Sequence, residues 1–237
     1  MRRTVLLDLD GTLVDSAPLI TEHLAAALAA GGGLRLDPSE LRSMVGPPFE
    51  ESLPPFGLTA EQTATVIQVY REGYDKVAAT RTPLFPGIRE MLAELRHAGL
   101  RLAVATSKPE GTARKIVAGV GLDAEFALVG GADPGSGEIG KAAVIRRVLA
   151  RLRLDPAREP TLMVGDRHHD VDGAASFGIP TIGVAWGYAA PGELDGAALV
   201  VADPAELAAV LTTDSIWRSN ASGVTGVPRT IRSNAFG

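Results

Sequence analysis

The chain has 237 residues, of which 46% are hydrophobic and 22% charged, with a formal net charge of −5 and no cysteine. This length can bury a sizeable core, and this composition is ordinary for a globular enzyme. The acidic balance argues against nucleic acid or an anionic membrane as partner, and the lack of cysteine excludes disulfides and thiolate sites. Because we find neither a signal-peptide pattern nor an apolar run of membrane-spanning length, we expect a cytoplasmic protein.

The first predicted element is a short strand, Val5–Leu9, whose continuous hydrophobicity suits burial on both faces of a parallel sheet. Asp8 and Asp10 lie on one face where this strand ends, and Gly11 follows them. Two carboxylates so close are costly unless a cation or a shared proton relieves their repulsion. The pair therefore predicts a metal ion and one acid with a raised pKa, with a solvated turn after an edge strand as the alternative.

A helical tract follows this first strand. Helix starts are predicted at Ser16, Asp37 and Thr59, where a residue that can cap a helix precedes a helical pattern. The proline-rich stretch Val45–Phe49 between them is too rich in turn residues to be regular. We expect residues 17–80 to form a small all-helical unit inserted after the first strand.

Beyond a linker at residues 81–87, predicted strands alternate with predicted helices. The further strands are expected at 100–105, 126–129, 161–164, 181–184 and 199–201. The helices are expected at 88–97, 110–118, 141–152, 171–177 and 204–211. This alternation predicts an α/β fold, a doubly wound, Rossmann-like parallel sheet formed by residues 1–16 and 81–211. The tail 212–237 lacks periodicity and is expected to be poorly ordered.

Polar residues also follow later strands of the predicted sheet. Thr106 and Ser107 offer two hydroxyls that can bind phosphate oxygens, or can cap the next helix instead. Gly165-Asp166 ends another strand, with Asp170 four residues further on. Such hard oxygen ligands suit Mg²⁺ rather than zinc or copper, although Asp166 as a simple helix cap is an equal alternative.

The glycine-rich segment 135–142 comes close to a P-loop pattern. It has Ala142 where a P-loop carries the hydroxyl that binds Mg²⁺. We interpret it as a flexible loop that delivers Lys141 to a helix start, where its ammonium can neutralise phosphate charge. Lys108, directly after the hydroxyl strand, competes for this role.

The order of these motifs resembles that of the haloacid dehalogenase superfamily over roughly residues 4–210. The resemblance implies that Asp8 is the nucleophile and Asp10 the general acid/base. It also favours Lys141 over Lys108, because Lys141 precedes the strand that carries Asp166. The candidate phosphate-binding residues are then Thr106, Ser107 and Lys141. The candidate Mg²⁺ ligands are Asp8, Asp10, Asp166 and Asp170.

Residue 10 and three further segments narrow the resemblance to one branch of the superfamily. An acid at residue 10 is typical of its phosphatases and phosphomutases, whereas its dehalogenases lack one there. Val45–Pro48, Gly165–Asp170 and Trp186–Tyr188 are similar to the phosphoglycolate-phosphatase-like branch, whose helical cap covers the site. The candidate substrate contacts from the cap are Met44, Pro47 and Phe49.

The implied function is a Mg²⁺-dependent phosphatase that hydrolyses a small phosphate monoester through an aspartyl phosphate. It would resemble a phosphoglycolate phosphatase or a nucleotidase, with a small phosphorylated metabolite as its partner. A sugar-phosphate mutase and a non-catalytic phospholigand sensor are the alternatives. The sequence leaves open the substrate, the choice between monomer and dimer, and the roles of His168 and His169.

Overall fold

A parallel sheet forms the centre of the computed structural model, which describes residues 2–218 of the chain. Within that range the sheet has six strands in the order β3-β2-β1-β4-β5-β6. The strands are β1 Thr4–Leu7, β2 Arg101–Pro109, β3 Leu128–Ala132, β4 Thr161–Gly165, β5 Thr181–Val184 and β6 Leu199–Val201. The predicted doubly wound sheet is confirmed, and its middle strands are those that carry the predicted acids.

The chain between β1 and β2 first forms the inserted helices. They are α1 Ala17–Ala27, α2 Pro38–Ser43, α3 Phe49–Ser52 and α4 Ala60–Arg81. Asp37 and Thr59 cap α2 and α4 in reciprocal capping boxes, as their sequence positions predict. Ser16 makes no such bond, because its backbone is itself helical and its buried hydroxyl does not reach an exposed N–H. The predicted Ser16 cap is therefore wrong, although the helix begins where expected.

The remaining helices cover the two faces of the sheet. They are α5 Ile88–His97, α6 Glu110–Gly119, α7 Lys141–Leu152, α8 His168–Ala175 and α9 Pro204–Thr212. Successive side chains of β1 face opposite layers: Val5 and Leu7 belong to the core that contains α5 and α9, and Leu6 to the core that contains α7. Burial on both faces explains the unbroken apolar run of this strand.

Several element boundaries differ from the predicted ones. Strand β1 ends at Leu7 rather than at Leu9, and β3 spans Leu128–Ala132 rather than 126–129. Two further differences have local reasons. Strand β2 continues to Pro109, because after a shift in register Pro109 pairs with Ala132 of β3. Lys108 also favours extended backbone, since it precedes proline. Helix α8 begins at His168 rather than at residue 171, because the Asp170 carboxylate accepts a hydrogen bond from Arg167 N at 3.2 Å.

The C-terminal boundary also differs from the expectation. A short helix, α10 (Ser215–Arg218), lies within the predicted tail. Its Trp217 is 3% exposed and donates a hydrogen bond from Nε1 to Leu211 O at 2.8 Å, so burial of the indole holds this segment on the core. Residues 219–237 of the predicted tail lie outside the described residues. Across residues 2–218, no helix combines the length and the apolar character that a bilayer crossing requires.

Candidate active site

The site lies at the carboxyl edge of the sheet. Leu7, the last residue of β1, is in register with Val104 of β2 and with Val164 of β4. Asp8 and Asp166 therefore leave neighbouring strands at almost the same level. The chain reverses its direction of winding between β1 and β4, and such a switch point is where open α/β sheets bind ligands.

Asp8, Asp166 and Asp170 form a buried acid cluster. One carboxylate oxygen from each lies within 4.8 Å of the others, and the three residues are 6%, 0% and 1% exposed. Burial, reinforced by repulsion from Asp170 and Asp8, raises the pKa of Asp166 well above the ordinary range. Burial also raises the pKa of Asp170 to about 6, although the Lys141 ammonium works against this shift. A hard divalent cation would relieve this repulsion, and an all-carboxylate donor set fits Mg²⁺. The residues present thus suit the predicted metal.

Lys141 ties two members of the acid cluster together. It opens helix α7, as predicted, and its Nζ lies 2.8 Å from Asp8 Oδ1 and 2.7 Å from Asp170 Oδ1. Nζ also donates a hydrogen bond to Ala105 O at 3.0 Å. Although burial lowers the pKa of Lys141, the Asp170 and Asp8 carboxylates outweigh it and hold that pKa above the usual value. The ammonium is therefore a fixed cation beside Asp8.

Asp10 lies apart from the acid cluster and pairs with the other lysine. Asp10 Oδ2 is 3.1 Å from Lys108 Nζ, which lies 4.7 Å from the centroid of the Tyr74 ring. Asp10 Oδ1 is buried and has no hydrogen-bond partner within residues 2–218. The structure thus brings both candidate lysines into the site. The carboxylate of Asp10 is not among the three that could share an ion, and its role as a metal ligand stays a prediction.

The segment after β5 positions Asp166. Tyr188 N donates a hydrogen bond to Asp166 Oδ2 at 2.8 Å, and Thr12 Oγ1 donates to Oδ1 at 3.5 Å. Trp186 Nε1 in turn donates to Thr12 O at 3.1 Å. Gly11 has φ +80°, and a Cβ there would lie 2.1 Å from Asp166 Oδ2. Asp166 is held by these contacts and does not cap α8, whose N-cap residue is its neighbour.

Thr106 and Ser107 of β2, the two hydroxyl residues, lie at the same edge of the sheet. Thr106 is 1% exposed, and its Oγ1 accepts a hydrogen bond from Lys108 N at 3.2 Å. Neither Thr106 nor Ser107 caps α6, which follows Pro109 without a side-chain cap. The helix-cap alternative is therefore wrong. Their role in phosphate binding stays a prediction.

The two histidines left open by the sequence do not join the acid cluster. His168 Nδ1 lies 2.8 Å from Glu193 Oε1, and Arg167 Nε lies 2.6 Å from the same oxygen. Burial works against ionisation of Glu193, but hydrogen bonds from Arg167, Ala190 N and His168, together with the charge of Arg167, outweigh it and lower the pKa of Glu193 to about 2. Arg167 also donates from Nη1 to Val45 O in the inserted segment. Burial lowers the pKa of His169.

A cavity of about 520 Å³ opens beside Asp10 and Ser107. The predicted contact residues Met44, Pro47 and Phe49 all line it. Tyr70 and Tyr74 of α4 line it too, although the sequence did not identify them as site residues. Their spacing of four residues places both rings on one helix face, a signal that is also typical of ordinary core packing.

The comparisons with known proteins agree with this fold. The sequence model for haloacid dehalogenase-like hydrolases matches residues 5–184, so the chain belongs to that family. A crystal structure described as a predicted phosphatase from Clostridium acetobutylicum is similar to this chain with a TM-score of 0.83 and 31% identity. That similarity covers 89% of this chain and 98% of the other. The fold is therefore that of the family's core with an inserted helical cap.

Curated relatives with several different names resemble the chain. It is 44% identical over 184 residues to the tyrosine-protein kinase PtkA of Mycobacterium tuberculosis, a match that covers 78% of this chain and 62% of the relative. It is 35% identical to a 5′-nucleotidase of Pseudomonas aeruginosa, over 80% of this chain and 86% of the relative. It is 32% identical to a phosphoglycolate phosphatase of Rhodospirillum rubrum, and this match covers 86% of this chain and 88% of the relative. The chain thus spans less than two thirds of the kinase-named relative.

Proposed function

We propose that the protein is a Mg²⁺-dependent phosphatase that hydrolyses a small phosphate monoester through an aspartyl phosphate. The observation that carries the proposal is the acid cluster of Asp8, Asp166 and Asp170, with Lys141 bridging Asp8 and Asp170. Such a cluster is costly to fold without a ligand, because it buries three carboxylates beside one ammonium. Selection for a cation and a phosphoryl group explains that cost.

Asp8, Asp166 and Asp170 would hold Mg²⁺, which neutralises charge between the attacking carboxylate and the anionic ester. Asp8 attacks phosphorus in line, so that a carboxyl O–P bond forms as the ester O–P bond breaks. Asp10, whose Oδ1 has no bonding partner among the described residues, hands its proton to the leaving alkoxide. It then takes a proton from the water that attacks the aspartyl phosphate and regenerates Asp8.

The transferring phosphoryl group needs positive charge and donors on its equatorial oxygens. Lys141 already lies beside the nucleophile, and Thr106 and Ser107 lie in the last part of the neighbouring strand, β2, at the same edge of the sheet. In this proposal residues 17–80 act as the cap, which closes over the bound ester and excludes bulk water during the first step. The contact between Arg167 and Val45 O joins this segment to the loop of Asp166.

The names of two relatives, a 5′-nucleotidase and a phosphoglycolate phosphatase, support a small phosphate monoester as substrate. The cytoplasmic location stays a prediction from the sequence. So do the alternatives, a sugar-phosphate mutase and a non-catalytic phospholigand sensor.

The test is a phosphate-release screen of the full chain with and without Mg²⁺. The panel contains phosphoglycolate, nucleoside monophosphates and sugar phosphates. We expect Mg²⁺-dependent release from at least one ester, abolished by EDTA and restored by excess Mg²⁺. Release without a sugar acceptor distinguishes a phosphatase from a mutase. Inertness of the whole panel would contradict the proposal and favour a sensor.

A further inference from the structure

The cavity beside Asp10 is much larger than a phosphate group requires. Its volume of about 520 Å³ lies within the range of roughly 300–1,000 Å³ that is usual for sites that enclose drug-sized ligands. It runs from Asp10 and Ser107, at the sheet edge, to Tyr70 and Arg71 on α4. An ester with a two-carbon leaving group would leave most of this space unfilled.

One wall of the cavity is aromatic. The rings of Phe49 and Tyr70 meet edge to face with centroids 4.7 Å apart, and Tyr70 stacks on Tyr74 at 5.1 Å. Tyr74 and Met44 are each 1% exposed and lie behind this wall, so Phe49 and Tyr70 supply its ring surface. Aromatic rings favour further rings in stacked or edge-to-face contact. This wall suits a flat, apolar group.

The charges around the cavity disfavour an anionic leaving group. Its lining contains five carboxylates, those of Asp10, Glu50, Asp75, Asp133 and Glu138, against two cations. Both cations are already paired, Lys108 with Asp10 at 3.1 Å and Arg71 with Glu50 at 3.2 Å. Glu138 is also paired, with Arg146 outside the lining at 2.9 Å, so Asp75 and Asp133 are the lining carboxylates without an ion pair among the described residues. A second negative group on the substrate would find repulsion here and no free counter-charge among the lining residues.

We propose that the substrate is a phosphate monoester of an uncharged alcohol that carries an aromatic or heteroaromatic ring, and that the cavity selects against esters with a second anionic group. The inference rests on the proposed function, in which the cavity receives the leaving group. It separates this chain from enzymes whose substrate is phosphoglycolate, because the carboxylate of that ester is the group the cavity repels.

The test measures binding of inert phosphonates to the full chain with Mg²⁺ by calorimetry, so that it does not depend on turnover. The probes are benzylphosphonate, 4-carboxybenzylphosphonate and phosphonoacetate. We expect benzylphosphonate to bind at least about tenfold more tightly than either of the others, as one good ring contact and one avoided charge repulsion imply. Equal affinities, the reverse order or no binding would overturn the inference.

Two variants test the wall and the charge separately. Phe49→Ala should weaken benzylphosphonate about tenfold more than phosphonoacetate. Glu50→Gln frees Arg71 and should tighten 4-carboxybenzylphosphonate about threefold, as expected for loss of a partly exposed ion pair. Glu51→Gln, at the exposed neighbouring position outside the cavity lining, is the matched control and should change neither affinity. Equal effects of Glu50→Gln and Glu51→Gln would contradict the role of cavity charge.

Turnover of benzyl phosphate then reports on the proposed function by itself. Binding in the expected order without hydrolysis would support the ligand class and contradict the phosphatase. Hydrolysis of phosphoglycolate at a higher kcat/KM than benzyl phosphate would support the phosphatase and contradict the ligand class.

Discussion

The Lys108 ammonium lies 3.1 Å from the Asp10 carboxylate, and the two side chains are only 7% and 9% exposed. The same ammonium lies over the ring of Tyr74 on α4. The ion pair therefore joins the proposed general acid, on the loop after β1, to strand β2 and to the inserted helices. Asp10 and Lys108 both line the cavity, where Lys108 orients the Asp10 carboxylate. The other lysine, Lys141, contacts Asp8 instead.

Replacing Lys108 should destabilise the fold through Asp10. We expect Lys108→Met to lower the free energy of unfolding by roughly 2–3 kcal/mol, somewhat below the cost of breaking a fully buried ion pair, because both side chains keep a small exposed fraction. The double variant with Asp10→Asn should recover most of this loss, since no buried charge is then left alone. Urea unfolding of the wild type, the two single variants and the double variant measures the coupling between Lys108 and Asp10. Strictly additive losses of stability would contradict it.

Asp8→Asn should abolish hydrolysis, because an amide oxygen cannot form the proposed aspartyl phosphate. We expect phosphate release to fall by at least about 10³-fold, as for the loss of other enzymic nucleophiles. Asp172→Asn is the matched control, an exposed acid on α8 outside the acid cluster, and it should keep wild-type turnover. Circular dichroism confirms that both variants are folded. Wild-type rates in Asp8→Asn would refute the nucleophile.

Asp10→Asn should show an effect that depends on the leaving group. With an alkyl phosphate ester, whose alkoxide needs a proton, we expect kcat to fall by roughly 10²–10⁴-fold. With p-nitrophenyl phosphate, whose phenolate leaves unprotonated, the loss should be much smaller. The ratio of the two losses is the measurement. Equal losses with both esters would show that Asp10 does not act as the general acid.

Binding of Mg²⁺ should release protons. Burial and neighbouring carboxylates raise the pKa values of Asp166 and Asp170 in the metal-free protein, and a metal ligand must be ionised. Affinity should therefore fall as pH decreases from about 7.5 to about 5.5, as proton-coupled metal binding requires. Calorimetry in two buffers of different ionisation enthalpy measures the proton number. Proton uptake, or affinity that is independent of pH, would count against this cluster as the metal site.

Asp166→Asn should stabilise the metal-free protein. The pKa of Asp166 is higher in the folded than in the unfolded chain, so the folded state holds more protons and its stability falls as pH rises above about 3.9, the unfolded value. The amide removes that loss and can keep the hydrogen bond from Tyr188 N. We expect a gain of about 1–2 kcal/mol at neutral pH in EDTA. A lower Tm than wild type in EDTA, with Asp172→Asn as control, would contradict it.

Much of the sheet could be predicted from local patterns. Strand β5 and helix α7 begin and end at the predicted residues, because a continuous apolar run and a clear helical period leave few alternatives. The start of α8 was missed, since the side chain of Asp170 extends the helix backwards past the apolar pattern. The Ser16 cap was missed because cap geometry depends on the backbone angles that the fold imposes.

The acids were found from the sequence alone, since Asp8 and Asp166 each end an apolar strand and only a few chemistries need acids there. What surrounds them was decided by the tertiary structure. No local pattern shows that Tyr188 N holds Asp166, or that Lys108 turns to Asp10 while Lys141 turns to Asp8. These contacts join residues far apart in the chain, and strand register and helix packing, not neighbouring residues, set their distances.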